Sequence, residues 1–311
     1  MKWTYLICGQ IKSRINGDVG EYFKTLRESL PNSKIIVSSW AGEVPNSAVG
    51  YLDKVVLTED PGLCPWGTNF NRIALATDKG IEACNTKYLI RSRIEISVSD
   101  KQKILQLMRD IERVEEEDCR SNYIYFPKSE ALYHLQKGLV FCLADFLHAG
   151  KLPVIREYWP EFSNISRLKN HMHDGDLSIS SDQLLCVSHA AKYYPVKCNN
   201  SRFMANFTNM KYFNDFLSTK ALFFDVKYYG LNLNRLDRSG AGKIKTIKAF
   251  RLSDMGHIYS LQISLFSKLI IKSFSFSEGV RLKISRKLSL PIRLLIECID
   301  SLNASIINKN L

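Results

Sequence analysis

The first hundred residues alternate between two periods. Residues 3–8, WTYLIC, form a near-continuous apolar run that ends at Gly9-Gln10, which predicts a buried first strand. KIIVSSW, from Lys34 to Trp40, and KVVLTED, from Lys54 to Asp60, predict two more. Between the first two, Val19, Tyr22, Phe23, Leu26 and Leu30 fall at helical spacing, and Pro31-Asn32 stops that helix. Pro61-Gly62 breaks the third strand. A polar loop follows, and Asn69, Asn71 and Arg72 open a helix that carries on to about Cys84. KYLIRSRIEI then predicts a strand over 87–94, with charges at its carboxyl end. The order β, α, β, β, α, β predicts an α/β fold with a mostly parallel sheet and flanking helices.

Further along, Ser99-Asp100 reads as a helix N-cap. Ile104, Leu105, Met108, Ile111 and Val114 form the buried stripe behind it, and Glu115 to Asp118 read as its solvated end. NYIYFP (122–127) predicts another strand. GLVFCLADFLHAG (138–150) is apolar with one acid inside it, Asp145, and LPVIREYWPEF predicts a short helix. From His171 to Ser181 the chain reads as loop. From Ser181 it reads as a helix that turns Leu184, Leu185, Val187 and Ser188 inward.

This pattern divides the chain into a domain over 1–200, a mixed connecting region over 201–257, and a basic, amphipathic helical tail over 258–311. In the tail, Ile258, Leu261, Leu265 and Leu269 precede a cluster of Arg281, Lys283, Arg286 and Lys287. Beyond Pro291, Ile292, Leu295, Ile296, Ile299, Leu302 and Ile306 fall on one helical stripe. Such a stripe packs on a domain or lies on an anionic bilayer surface, and both readings stand.

Composition narrows the partners. With 311 residues, 45% hydrophobic and 24% charged, the chain can bury a real core. Its net charge of +12 favours anionic partners. Nucleic acid is the poorest of these, because there is no aromatic–basic interleaving and no helix motif of that kind. The eight cysteines include no CxxC pair, which argues against a zinc site and for buried thiols in a reducing, cytoplasmic setting. The apolar start is too short for a signal peptide, and no run reaches membrane-spanning length. His171 and His173 read as polar surface rather than metal ligands. Gly240 to Lys243 lack the spacing of a phosphate loop.

In parallel sheets ligands collect beyond the carboxyl ends of the strands. Asp60, Arg91, Arg93 and Glu95 lie at or near such ends. The last three are two apart, which puts them on one face of a continuous strand. They are therefore either a site or the solvated face of an edge strand.

These strings resemble the WavE lipopolysaccharide-synthesis family over roughly residues 1–200. The resemblance rests on the second strand's ISSW-like end, Asp60-Pro61-Gly62, Asn69-x-Asn71-Arg72, Gly80 and Tyr88 to Glu95. Ala144 to Gly150 and Ser181-Asp182-Gln183 add to it. The family tends to read Lys-x-Arg-x-Asp where this chain has Arg91, Arg93 and Glu95, and Glu-Gln where it has Asp182-Gln183. The family is similar to GT-A glycosyltransferases. The resemblance therefore implies transfer of a sugar from a nucleotide-sugar donor to a glycan or lipid-linked glycan acceptor. The product would be bacterial surface polysaccharide: lipopolysaccharide, O-antigen or capsule. With the cysteine pattern and the basic tail, the expected location is the cytoplasm, or peripherally the inner face of the cytoplasmic membrane.

The implied donor site comprises Asp60, Asn69, Asn71, Arg72, Arg91, Arg93 and Glu95. A GT-A enzyme usually presents Asp-x-Asp, which holds Mn2+ or Mg2+ on the donor diphosphate. Here Glu95 stands alone as the implied metal ligand, and Arg72, Arg91 and Arg93 offer the alternative of neutralising the diphosphate directly. Asp145 and Asp182 are the implied catalytic bases, although Asp182 also sits where a helix cap would. The missing second aspartate keeps another expectation open: a glycosyltransferase-like partner without catalysis in a polysaccharide assembly complex.

Overall fold

In a computed structural model of the chain, the described residues are 1–12, 18–63, 69–117, 122–127, 143, 145–159, 161–164, 181–195, 207–224 and 228–233. The expected first strands form as β1 (Trp3–Cys8), β2 (Lys34–Trp40), β3 (Lys54–Thr58) and β4 (Tyr88–Ser92). Their helices are α1 (Val19–Ser29), α2 (Asn46–Val49), α3 (Phe70–Glu82) and α4 (Lys101–Glu117). The short α2 lies between β2 and β3, where the pattern predicts no helix. Asp18 caps α1 by accepting the Gly20 amide at 2.7 Å, and Asp100 caps α4 through the amides of Gln102 and Lys103.

Then come β5 (Ile96–Val98), β6 (Ile124–Pro127), β7 (Leu147–Lys151), α5 (Leu152–Tyr158) and α6 (Ser181–Ala190). The described part ends with α7 (Phe207–Lys220), β8 (Ala221–Phe224) and β9 (Leu231–Leu233). Seven strands form one sheet in the order β3-β2-β1-β4-β7-β6-β8. Strands β3, β2, β1 and β4 are mutually parallel, and β7 runs antiparallel to both β4 and β6. The mostly parallel α/β sheet read from the hydrophobic pattern is therefore present.

Successive strand residues point to opposite faces. Leu6, Ile36 and Leu89 pack on one face with α3, α5, α6 and α7. Tyr5, Ile7, Val37 and Ile90 pack on the other with α1, α2 and α4. The result is a helix–sheet–helix sandwich. Gly80 lets α3 lie close to the sheet, because a Cβ there would stand 2.7 Å from Leu6 Cδ1 and 3.0 Å from Ser38 Cβ.

Three expectations are corrected. The strand expected over 87–94 stops at Ser92, because the chain turns at Arg93 and re-emerges as β5, which pairs with β9 in a separate two-stranded sheet. Glu115 is not part of a solvated helix end. Its buried carboxylate meets Lys151 Nζ at 2.6 Å and accepts from the Tyr125 hydroxyl at 3.2 Å. The boundary expected near residue 200 falls inside the fold, since β8 pairs with β6 and β9 with β5. The tail over 258–311, His171, His173 and Gly240 to Lys243 lie outside the described residues. Among the described residues no helix is long and apolar enough to cross a membrane.

Candidate functional site

The strand order reverses at β1: the chain moves outward through β2 to β3, then returns to β4 on the other side. The carboxyl ends of β1 and β4 therefore bound a crevice of the kind that takes ligands in open α/β sheets. Gly9 closes β1 with φ +103°, a left-handed backbone that favours glycine, and a Cβ there would meet nothing within 4 Å. Its amide donates to Ser38 O at 3.0 Å, and its carbonyl accepts from Ser39 Oγ at 2.8 Å. Glu43 holds the next turn by accepting from the amides of Ile11 and Lys12.

On the β4 side, the Arg93 amide donates to Phe146 O at 3.0 Å, which extends the antiparallel β4–β7 ladder by one step. This register brings Asp145, just before β7, beside the end of β4. The Arg93 guanidinium lies in the fork so formed. Its Nη2 donates to Glu95 Oε1 at 2.8 Å and its Nε to Glu95 Oε2 at 3.3 Å, while Nη1 donates to Asp145 Oδ1 at 3.3 Å. The Phe146 ring backs it at 4.6 Å. Glu95 and Asp145 are 6% and 3% exposed, and the Arg93 side chain reaches the surface at 19%. Burial acts to lower the Arg93 pKa, but Asp145 and Glu95 outweigh it, so the net shift is upward and Arg93 stays charged.

Arg91 does something different from what its spacing implied. It shares the α3 face with Leu89 and is fully buried. Its Nη1 donates to the Asp145 carbonyl, its Nε donates to Thr77 Oγ1 at 3.3 Å, and its guanidinium lies 4.3 Å from the Trp159 ring. The Trp159 indole N–H donates to His148 Nδ1 at 3.2 Å, and His148 is the residue opposite Arg91 in the β4–β7 register. Arg91 is thus a cross-link between β4, α3 and the entry to β7, out of reach of a donor in the crevice. Because the chain turns at Arg93, Arg91, Arg93 and Glu95 do not share one strand face. Arg93 and Glu95 are nevertheless brought together, with Asp145 added to them.

The second group expected in the donor site sits at the sheet's edge. Arg72, in the first turn of α3, grips Asp60 with Nε at 2.7 Å and Nη2 at 2.5 Å. Asn69 Oδ1 accepts from Arg72 Nη1 at 3.3 Å, and the Trp40 ring lies 5.9 Å from the guanidinium. Asn71 donates to the Leu63 carbonyl at 3.4 Å. The Arg72 hydrogen bond holds the Asp60 carboxyl below the usual range. Asp60 follows β3 and Glu95 follows β4, three strand spacings apart, or about 14 Å. The two groups share the carboxyl edge of the sheet without forming one cluster. Asp182 lies in the first turn of α6.

A metal on Glu95 does not fit this arrangement. Both oxygens of Glu95 accept from Arg93, and the same guanidinium ties Asp145. A divalent ion between these carboxylates would have to displace a fixed positive charge. Among the described residues no three His, Cys, Asp or Glu side chains form a group able to hold a metal ion.

A family profile described as WavE lipopolysaccharide synthesis matches residues 7–288. The chain belongs to that family. The family's description is lipopolysaccharide synthesis, and the resemblance carried by the strings around Asp60 and Glu95 pointed to the same family. No curated protein matches the chain. Among solved structures it is similar to a mannose-1-phosphate geranyltransferase from Thermus thermophilus, at 13% identity and a TM-score of 0.34 over 60% of this chain and 68% of that one. An active-site mutant of LgtC matches at 12% identity and a TM-score of 0.35, over 60% of this chain and 69% of that one. The apo-form glycosyltransferase GlyE of Streptococcus pneumoniae matches at 11% identity and a TM-score of 0.38, over 88% of this chain and 63% of that one. At these TM-scores the likenesses decide neither fold nor function, and both rest on this chain's own geometry.

The residues that sequence reasoning missed are Thr77, Phe146, His148 and Trp159. Phe146 and His148 stand inside the string over 144–150 that carries part of the family resemblance, which is the one signal that could have found them. No spacing rule points to Thr77 or Trp159.

Proposed function

We propose that this WavE-family chain transfers a sugar from a nucleotide-sugar donor to a glycan or lipid-linked glycan acceptor in bacterial surface-polysaccharide synthesis. The observation that carries this reading is the Arg93 guanidinium held between Glu95 and Asp145 at the switch-point crevice. Departure of a diphosphate needs fixed positive charge where negative charge develops, and a preoriented guanidinium provides it. The acceptor oxygen bonds to the anomeric carbon as the carbon–oxygen bond to the diphosphate breaks. The electron pair stays on the diphosphate, and the acceptor's proton goes to a carboxylate. Asp145 is the base in this reading, because Arg91 and Arg93 fix it from two sides. Asp182 is the second candidate for that role. Trp40, Arg72, Asp60, Asn69 and Asn71 line the same edge and would contact the far part of the donor.

Thermal-shift and product-release assays against a panel of UDP-, GDP-, ADP- and dTDP-sugars test the reading. Stabilisation by one donor class, with release of its nucleotide on adding a glycan acceptor, is expected. A panel in which no donor binds would sink it. Binding without turnover would favour the other expectation, a partner protein that has lost catalysis. The basic tail over 258–311 suits a position against the anionic inner face of the cytoplasmic membrane, near a lipid-linked acceptor.

A further inference from the structure

The disagreement between the acidic motif of GT-A enzymes and the fork seen here has a chemical consequence. We infer that Arg93 is the resident cation of the donor diphosphate site, so that this chain binds a nucleoside diphosphate without a divalent metal. The inference rests on the transferase reading and deepens it.

Three features support it. The guanidinium has five N–H donors, and three are taken by Glu95 and Asp145. The other two N–H groups, one on Nη1 and one on Nη2, are the donors left for phosphate oxygens, and the side chain reaches the surface at 19%. Glu95 and Asp145 then have a defined task, which is to fix the direction of the fork rather than to ligate a metal. The carboxylates and Phe146 hold three sides of Arg93 while its backbone is pinned to β7. The cation is therefore in place before the donor arrives, and little side-chain freedom remains to be lost on binding. Finally, a divalent ion added to the intact cluster would have to displace the Arg93 guanidinium from both carboxylates. With Arg93 removed, the two carboxylates lose the cation they share, a setting that does attract such an ion.

The test is calorimetric titration of UDP, GDP, ADP and dTDP into the full-length protein, once in EDTA and once in millimolar Mn2+. The diphosphate that binds should have dissociation constants within about threefold in the two conditions. Arg93→Met should weaken binding in EDTA by about 10- to 100-fold, the effect of losing a charge-assisted pair. The same variant should gain a Mn2+ site, visible by electron paramagnetic resonance with Mn2+ alone, and recover part of its nucleotide affinity with the metal. Glu95→Gln, which keeps an acceptor for the guanidinium, should weaken binding only a few-fold and leave the Mn2+ response flat. Binding by the unmodified protein that requires Mn2+ would overturn the inference and leave the transferase reading standing. Failure of all four diphosphates in both conditions would overturn both. The comparison of EDTA with Mn2+ needs no variant, so misfolding of Arg93→Met cannot hide the answer.

Discussion

Arg91→Met is the perturbation that best separates a structural arginine from a donor-binding one. Methionine keeps the length and apolar stem of the side chain and removes the charge. The Asp145 carbonyl loses a charged donor, worth about 1.5–3 kcal/mol. The desolvated contact with the Trp159 ring contributes about 2 kcal/mol. Against these stands the relief of no longer burying a guanidinium, about 1–4 kcal/mol. The balance predicts a net loss of about 2 kcal/mol, read from urea denaturation with an unchanged m-value. In steady-state assays kcat should fall, because Asp145 loses one of its two anchors. The donor KM should stay within about threefold, because Arg91 is fully buried and does not reach the crevice. A variant as stable as the parent, within about 0.5 kcal/mol, or one whose loss is confined to donor KM, would refute the cross-link argument.

Two further outcomes follow from the packing. Burial pushes the His189 pKa down to about 4, so this imidazole is neutral in the fold and must charge on unfolding in acid. Its contribution is complete above about pH 6.5 and is lost as pH falls toward 4, a total of about 3 kcal/mol. The melting temperature should therefore drop over that window, and His189→Gln should flatten the drop; an identical slope in the variant would assign it to other groups. Gly230 has φ +65°, and a Cβ there would stand 2.6 Å from Asp100 Cβ. Gly230→Ala should cost about 2 kcal/mol in chemical denaturation, and a neutral result would mean the turn leading into β9 is not tightly seated against Asp100.

The parts of the fold set by local periodicity were legible. β1, β2, α1, α3 and α4 stand where the apolar spacing placed them. The grip of Arg93 on Asp145 was not legible, because it depends on an antiparallel register between segments some fifty residues apart, and nothing in either segment states that register. The break after Ser92 was hidden for a related reason. IRSRIEI alternates like one strand, and only the pairing of β5 with β9 takes its second half out of the sheet. Glu115 was legible and misread. It follows Ile104, Met108 and Ile111 on the buried stripe of α4, but the run of acids around it disguised that position.

The charge of the protein and the charge of its site are separate matters. The crevice places one guanidinium, that of Arg93, against two carboxylates, and Arg72 is matched by Asp60. The excess lies elsewhere: residues 234–311 contain 14 Lys and Arg against 5 Asp and Glu, or +9 of the net +12. Two binding events should then respond differently to salt. Contacts between exposed lysines and an acidic surface are screened over about 8 Å at physiological ionic strength, whereas a largely buried fork is screened much less. Vesicles containing phosphatidylserine should sediment the full-length protein at low salt and release it at about 0.5 M NaCl, as expected of a polybasic segment. Nucleoside diphosphate affinity should change by no more than a few-fold over the same range. Loss of both together would place the basic segment at the crevice itself, and loss of neither would mean that its apolar stripe, rather than its charge, governs what it binds.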